Sequence, residues 1–195
     1  MKNKVLQKNI PKEWRQIKLG DVCDIKKGEQ LNRLDMVASA EYPALNGGVN
    51  PSGYTHSWNT ESNTITISEG GNSCGYVNFM VTRFWCGGHC YAIKNIKEYV
   101  MVDFLYQSLK SQQDELMKLR VGSGLPNIQK KSIENFPLII PPIAEQKKIA
   151  EILTSVDDEI RKTDEIISKT EKLKAGLTRK IFSEDINENT TKWMR

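Results

Sequence analysis

Histidine is nearly missing from this chain: His56 and His89 are the only copies in 195 residues. Catalysis built on imidazole has little to work with, and no serine stands in a glycine-flanked strand-to-helix elbow. No run of about 18 apolar residues occurs, so no membrane-spanning helix is expected. The first residues carry Lys2, Lys4 and Lys8 without the apolar stretch of an export signal. The four cysteines, Cys23, Cys74, Cys86 and Cys90, are few for a disulfide framework and read as reduced, buried thiols of a cytoplasmic protein.

Further absences concern cofactors. Cys86-Gly-Gly-His89-Cys90 groups three metal-ligating side chains, but Cys23, His56 and Cys74 stand singly where structural zinc wants a second short pair. Pro141-Pro142 lies between Ile140 and Ile143, without the Asp or Asn that heads a base-methylation motif. The stretch Gly70-Gly-Asn-Ser-Cys-Gly75 lacks the lysine of a phosphate-binding loop and a following helix. No metal and no cofactor are expected, and the chain reads as non-catalytic.

Charge is scarce in the middle of the chain and plentiful at its ends. Residues 40–92 hold only Glu41, Glu61, Glu69 and Arg83 as charged side chains, among many of the glycines and aromatics. That composition reads as short strands and tight turns, with strands over Asn63–Ser68, Phe84–Cys86 and Cys90–Ile93. From Asp103 to Arg120, Phe104, Leu105, Leu109, Leu116 and Leu119 sit near helical spacing, which predicts one helix ended by Gly122-Ser-Gly124. A helical turn over Lys131–Asn135 and a strand over Leu138–Ile140 follow. The net charge of +4 belongs to residues 1–144, where 17 Lys and Arg face 13 Asp and Glu, against 11 of each in residues 145–195. Such a surplus is compatible with a polyanionic partner without requiring one.

The tandem proline opens a long helix, since a proline in a first turn withholds an N–H that would have no partner there. Between Glu145 and about Phe182, Ile149, Leu153, Val156, Ile160, Thr163, Ile167, Thr170, Lys174, Leu177 and Ile181 recur at alternating steps of four and three, the period of a coiled coil. The helix is about 55 Å long at 1.5 Å per residue, too long to bury that stripe against one domain. It needs a second helix; the alternative is a helix folded back on its own domain. Ile149, Leu153, Val156, Ile160, Ile167, Leu177 and Ile181 are the expected dimer and docking positions.

Leu138-Ile-Ile-Pro-Pro-Ile-Ala-Glu-Gln-Lys-Lys-Ile-Ala-Glu-Ile-Leu153 resembles the entry into the conserved helix of the specificity subunits of type I restriction-modification systems. Pro11-Lys-Glu-Trp-Arg-Gln-Ile-Lys-Leu-Gly-Asp-Val22, Asn72-Ser-Cys-Gly-Tyr-Val77 and Gly122-Ser-Gly-Leu-Pro-Asn-Ile128 match that family in order and spacing. The resemblance implies an α+β protein: a globular mixed α/β target recognition domain over residues 1–142, one long coiled-coil helix over 143–183, and a tail over 184–195. It implies a non-catalytic subunit that reads one half of a bipartite site on double-stranded DNA and docks methylase subunits and, where one exists, a restriction subunit. Members usually hold two such repeats and this chain holds one, so a second, antiparallel copy is the expected partner of the helix. Thr191-Lys-Trp-Met-Arg195 echoes Lys12-Glu-Trp-Arg15, as the start of a second repeat would, although chance also accounts for it. The rival reading is a coiled-coil adaptor that binds protein alone.

The resemblance transfers no individual base contacts, so candidates rest on chemistry. Lys26, Lys27 and Arg33, in a polar loop around Gly28, could hold phosphates or donate to guanine. Asn46, Asn50, Tyr54 and His56, among small residues that permit close approach, could meet base edges or sugars. Arg120, Ser123, Asn127, Gln129, Lys130 and Lys131 surround the Gly122–Gly124 loop. Each set has the alternative of an ordinary solvated loop or turn. Trp14, Phe84 and Trp85 read as core, because a duplex offers no unstacked base to an aromatic platform.

Overall fold

A computed structural model describes residues 10–122 and 124–192, with side chains described up to residue 182 apart from that of Arg33. The chain divides into two compact units, Met1–Ala150 and Glu151–Arg195. The first is an α+β assembly, in agreement with the expected class. A four-stranded antiparallel sheet has the order β2 (Asp24–Lys27), β8 (Cys90–Lys94), β5 (Thr64–Ser68), β6 (Val77–Met80). A smaller sheet orders β4 (Gly53–Thr55), β3 (Tyr42–Leu45), β7 (Trp85–Cys86), and β3 and β7 run parallel. A third ladder pairs β1 (Arg15–Lys18) with β9 (Pro137–Ile140), Arg15 opposite Ile140.

Alternation along the strands sorts the core into two layers. Ile25, Ile65, Ile67, Val77, Tyr91 and Ile93 face one way, against α1 (Leu19–Val22), α2 (Val102–Ser111), α3 (Gln113–Met117) and α4 (Lys130–Glu134). Cys90 and Ala92 face the other way, onto Leu45 and Cys86 of the small sheet and onto Phe84 next to β7. Covering both faces explains why β5, whose Thr-Ile-Thr-Ile-Ser sequence suggests a wet side, buries Thr66 and Ser68 as well as its isoleucines. All four cysteines are buried, free thiols.

The helix expected over Asp103–Arg120 is instead two. Gln112 leaves helical geometry (φ −107°, ψ 16°) between α2 and α3, and its N–H still reaches the carbonyls of Leu109 and Lys110. The bend lets Leu109 and Leu116 both be fully buried and brings Met117 onto the backbone of Gly75, which has φ +89° and no room for a Cβ. The turn expected over Lys131–Asn135 is α4, and the apolar strand begins one residue earlier than expected, at Pro137.

The long helix, α5, spans Ile143–Lys192. It extends through the stretch expected to be a tail; residues 193–195, with Trp193 of the C-terminal echo, lie outside the described residues. Its first two turns belong to the first unit: Ala150 is buried and Ile149 is partly buried against the core. The helix starts where the carbonyl of Pro142 accepts the N–H groups of Glu145 and Gln146 at 2.9 and 3.0 Å. In the second unit, Leu153, Val156, Ile160, Ile167, Leu177 and Ile181 are all exposed in the single chain, between 38% and 57%. No described helix is long and apolar enough to cross a membrane.

Candidate nucleic-acid interface

The segments singled out in the sequence come together around a residue that was not, Glu69. Its side chain is 6% exposed and lies just past the end of β5. One carboxylate oxygen accepts from Lys27 Nζ at 2.7 Å and from the Tyr91 hydroxyl at 2.9 Å; the other lies 3.7 Å from His89 Nδ1. Its backbone N–H donates to the carbonyl of His89 at 2.9 Å, and its carbonyl accepts from Ile128 N–H at 2.8 Å and from the Cys74 thiol at 2.9 Å. A buried carboxylate needs such partners, because an uncompensated charge out of water is costly. Burial together with the bond to Glu69 holds the Tyr91 phenol above its ordinary range, and burial raises the Cys74 thiol.

Three turns close on this hub. The carbonyl of Gly47 accepts from the hydroxyls of Ser68 and Ser73, and Asn46 Oδ1 accepts from His89 N–H at 3.3 Å, which ties the β3–β4 turn to the turn before β8. Gly47 (φ +85°) lies so near the His89 carbonyl that a side chain is excluded there. Gly28 lies as close to the carbonyls of Cys86 and Gly87, so β2 leaves the sheet pressed against the same turn. Asn127 bridges both Gly70 and Val121, and Gly71 N–H donates to the carbonyl of Pro126 at 2.9 Å. Lys27, Asn46 and Asn127 thus belong to one cluster.

Other candidates stand apart from it. Lys26 and Lys27 are not in a loop, as expected, but in β2, where alternation sends them to opposite faces; only Lys27 joins Glu69. Arg33 is in a 3-10 turn, Arg33–Asp35. Asn50 is exposed in the same turn as Asn46, whereas Tyr54, opposite Pro43 in β4, and His56 lie toward the other end of that hairpin. Arg120 is exposed after α3, Gln129 precedes α4, and Lys130 and Lys131 are exposed on α4, with Lys130 paired to Glu134 at 3.4 Å. Ser123 falls outside the described residues. Phe84 is fully buried; Trp14 and Trp85 are half-buried, with indole N–H groups that donate to Glu145 and to the carbonyl of Glu29.

Two further residues were missed as structural agents. Gln146 is fully buried, and its amide donates to the carbonyls of Tyr99 and Pro141 at 2.9 and 2.8 Å while accepting from Met101 N–H at 2.9 Å. Glu145 accepts from Trp14 Nε1 at 2.9 Å. The pair Glu145-Gln146 therefore clamps the first turn of α5 to the segment before β1 and to the segment that leads into α2. Glu69 itself had a signal: it is a lone acid at the end of an apolar strand, followed by Gly70-Gly71.

Comparison with known proteins gives a consistent picture. The type I restriction modification DNA specificity domain matches residues 11–172. A type I specificity subunit of Mycoplasma pneumoniae is 32% identical over 183 residues, covering 92% of this chain and 48% of that protein. Another, of Mycoplasma genitalium, is 34% identical over 186 residues, 92% of this chain and 47% of its own length. A crystal structure of a type I restriction-modification S subunit from M. genitalium superposes with a TM-score of 0.72 at 31% identity, covering 80% of this chain and 41% of that one. The chain spans about half the length of the curated relatives it matches.

Proposed function

Since the chain belongs to the type I restriction modification DNA specificity family, we propose that it is the DNA-recognition component of a type I restriction-modification system, without catalytic groups of its own. Its first unit reads one half of a bipartite site on double-stranded DNA. The exposed stripe of α5 docks methylase subunits and a second, antiparallel copy of the chain. Methyl transfer and, where a restriction subunit is present, ATP-driven cleavage belong to those partners, and the complex works in the cytoplasm.

The observation that supports this reading best is the buried carboxylate of Glu69, held by Lys27 and Tyr91 and approached by His89, with Asn46 tied to the His89 backbone and Asn127 bridged to Gly70 beside it. Three turns are held there with glycine backbones close to one another, so their exposed neighbours form a fixed set of donors and acceptors. Recognition of base edges requires such preorganised side chains, whereas phosphate contacts set only position. Lys26, Arg33, Lys130 and Lys131 are the candidates for phosphate contacts; Asn46, Asn50, Tyr54, His56, Asn127 and Gln129 are those for base edges and sugars.

Titration of fluorescent duplexes with the purified chain, alone and with its methylase subunits, tests the reading. Binding that weakens as salt rises, with preference for one short sequence, is expected. Failure to bind any duplex in either state, with the protein folded, would leave only an adaptor role.

A further inference from the structure

Among the side chains gathered at Glu69, His89 holds a capacity that its surroundings leave unused. Its side chain is 59% exposed, and Nδ1 lies 3.7 Å from the one Glu69 oxygen that neither Lys27 nor Tyr91 engages. That carboxylate favours the tautomer with its proton on Nδ1, which leaves Nε2 of the neutral ring as an acceptor. Among the described residues none hydrogen-bonds the ring at Nε2. The backbone of His89 is tied down as well: its N–H donates to Asn46 Oδ1 at 3.3 Å, and its carbonyl accepts from Glu69 N–H at 2.9 Å. A Cβ would stand 2.4 Å from the His89 carbonyl if placed on Gly47, 2.5 Å from Asn46 Oδ1 on Gly87 and 2.8 Å from Gln30 Oε1 on Gly88. Glycine at these positions lets the turns close and adds no bulk beside the imidazole.

Charge does not oppose a polyanion here, because Lys27 Nζ, 2.7 Å from Glu69, balances the carboxylate. On the reading that the first unit recognises double-stranded DNA, we propose that His89 is a specificity-determining residue. Its Nε2 accepts from the exocyclic amino group of an adenine or a cytosine in the major groove. Glu69 acts through it as a positioning residue that fixes the tautomer and aims the ring. Adenine N6 and cytosine N4 are the amino donors of that groove, whereas guanine and thymine present acceptors there and would face Nε2 without a proton between them. A phosphate likewise has no proton to offer, so this role differs from that of Lys26, Lys130 and Lys131. Asn46, with Oδ1 engaged by the His89 N–H, keeps its amide N–H groups for acceptor atoms of the same groove.

Selection from randomised duplexes by the full chain with its methylase subunits, followed by sequencing of the bound fraction, gives the base preferred at each position of the half-site. His89→Ala should lose the preference at one position, where the parent selects adenine or cytosine. It should weaken binding of the parent's best duplex about 5- to 150-fold with the salt slope unchanged. Removing the exocyclic amino group of that one base should weaken the parent by the same factor and leave H89A indifferent. Glu69→Gln should lose the preference at the same position, and adding it to H89A should remove no further discrimination there. His89 is exposed, so H89A carries the test on its own where urea unfolding shows that E69Q does not fold. A parent that selects a sequence while H89A selects the same one at every position overturns the proposal and leaves the DNA-recognition reading standing. So does a uniform loss of affinity with the salt slope lowered by about one, which makes the ring a phosphate contact. A parent that selects no sequence removes the reading itself, and the proposal with it.

Discussion

Single side chains with every valence used are the most sensitive points of this molecule. Gln146 satisfies two carbonyls and one N–H from its buried amide, so Gln146→Leu should leave Tyr99, Pro141 and Met101 unpaired and cost about 2 to 4 kcal/mol. Urea unfolding would show this as a lower midpoint at unchanged slope; a midpoint within error of the parent would mean that water replaces the amide. Cys23 predicts a dependence on pH. Burial, with smaller contributions from Asp24 and Glu134, raises its thiol from 9.0 to about 12. The folded chain thus holds that proton more tightly than the unfolded chain does. Its stabilising contribution is complete below pH 9 and is lost as pH rises toward 12. Alkaline unfolding that begins above pH 9 and moves upward in Cys23→Ala is expected; an unmoved curve would assign the transition to other groups, Tyr91 first. Such residues are only half legible in sequence. Glu145-Gln146 stands out as a motif, but nothing in its spacing says that the glutamine is an internal clamp, and Glu69 is visible only as an acid in a stretch poor in charge. Their partners come from β8, α2 and the turn before α4, and long-range convergence leaves no local periodicity.

Elements whose packing is local were read well, and those shaped by a distant neighbour were not. The strand at Thr64–Ser68, the apolar strand before the prolines and the long helix follow from composition, since each rests on one period and one boundary signal. The break at Gln112 does not, because it answers to the backbone of Gly75 across the domain. The position of Lys26 and Lys27 was misjudged for a related reason: two adjacent lysines before a glycine look like a loop, yet β8 pairs with them through Ala92 and Tyr91. Asp at both Ile160 and Ile167 places unpartnered charge in the proposed seam of both copies and should convert a dimer into a monomer by light scattering. The first unit should keep its near-UV signal, because neither residue belongs to its core. A dimer that survives both substitutions would mean that another surface holds the copies together.

At the scale of the whole assembly, charge and symmetry make separate predictions. Replacing Lys26, Lys130 or Lys131 by alanine should lower the slope of log affinity against log salt by about one each, uniformly across sequences. Lys27→Ala should act differently, by releasing Glu69 and loosening the turns it holds, so its effect should depend on sequence. Asn46 or Asn50 to alanine should change discrimination at one base pair by about 1 to 3 kcal/mol. Equal affinity of every variant for every duplex would remove these residues from the interface. Two identical units related by a two-fold axis read identical half-sites in opposite orientation. A methylase assembled on the homodimer should therefore modify an interrupted palindrome, two inverted copies of one short sequence separated by a spacer. On the proposed reading, the helix pair and not the bases within the spacer should set its length. Deleting two heptads from the part of α5 beyond Ala150 should change the accepted spacer and leave the half-site intact. Sequencing that detects methylated adenine, on plasmid treated with the reconstituted complex, reads both quantities at once. Two unrelated half-sites would mean that a different recognition unit is supplied by another chain or another repeat, and the homodimer would have to be given up; an unchanged spacer after the deletion would locate the ruler outside α5.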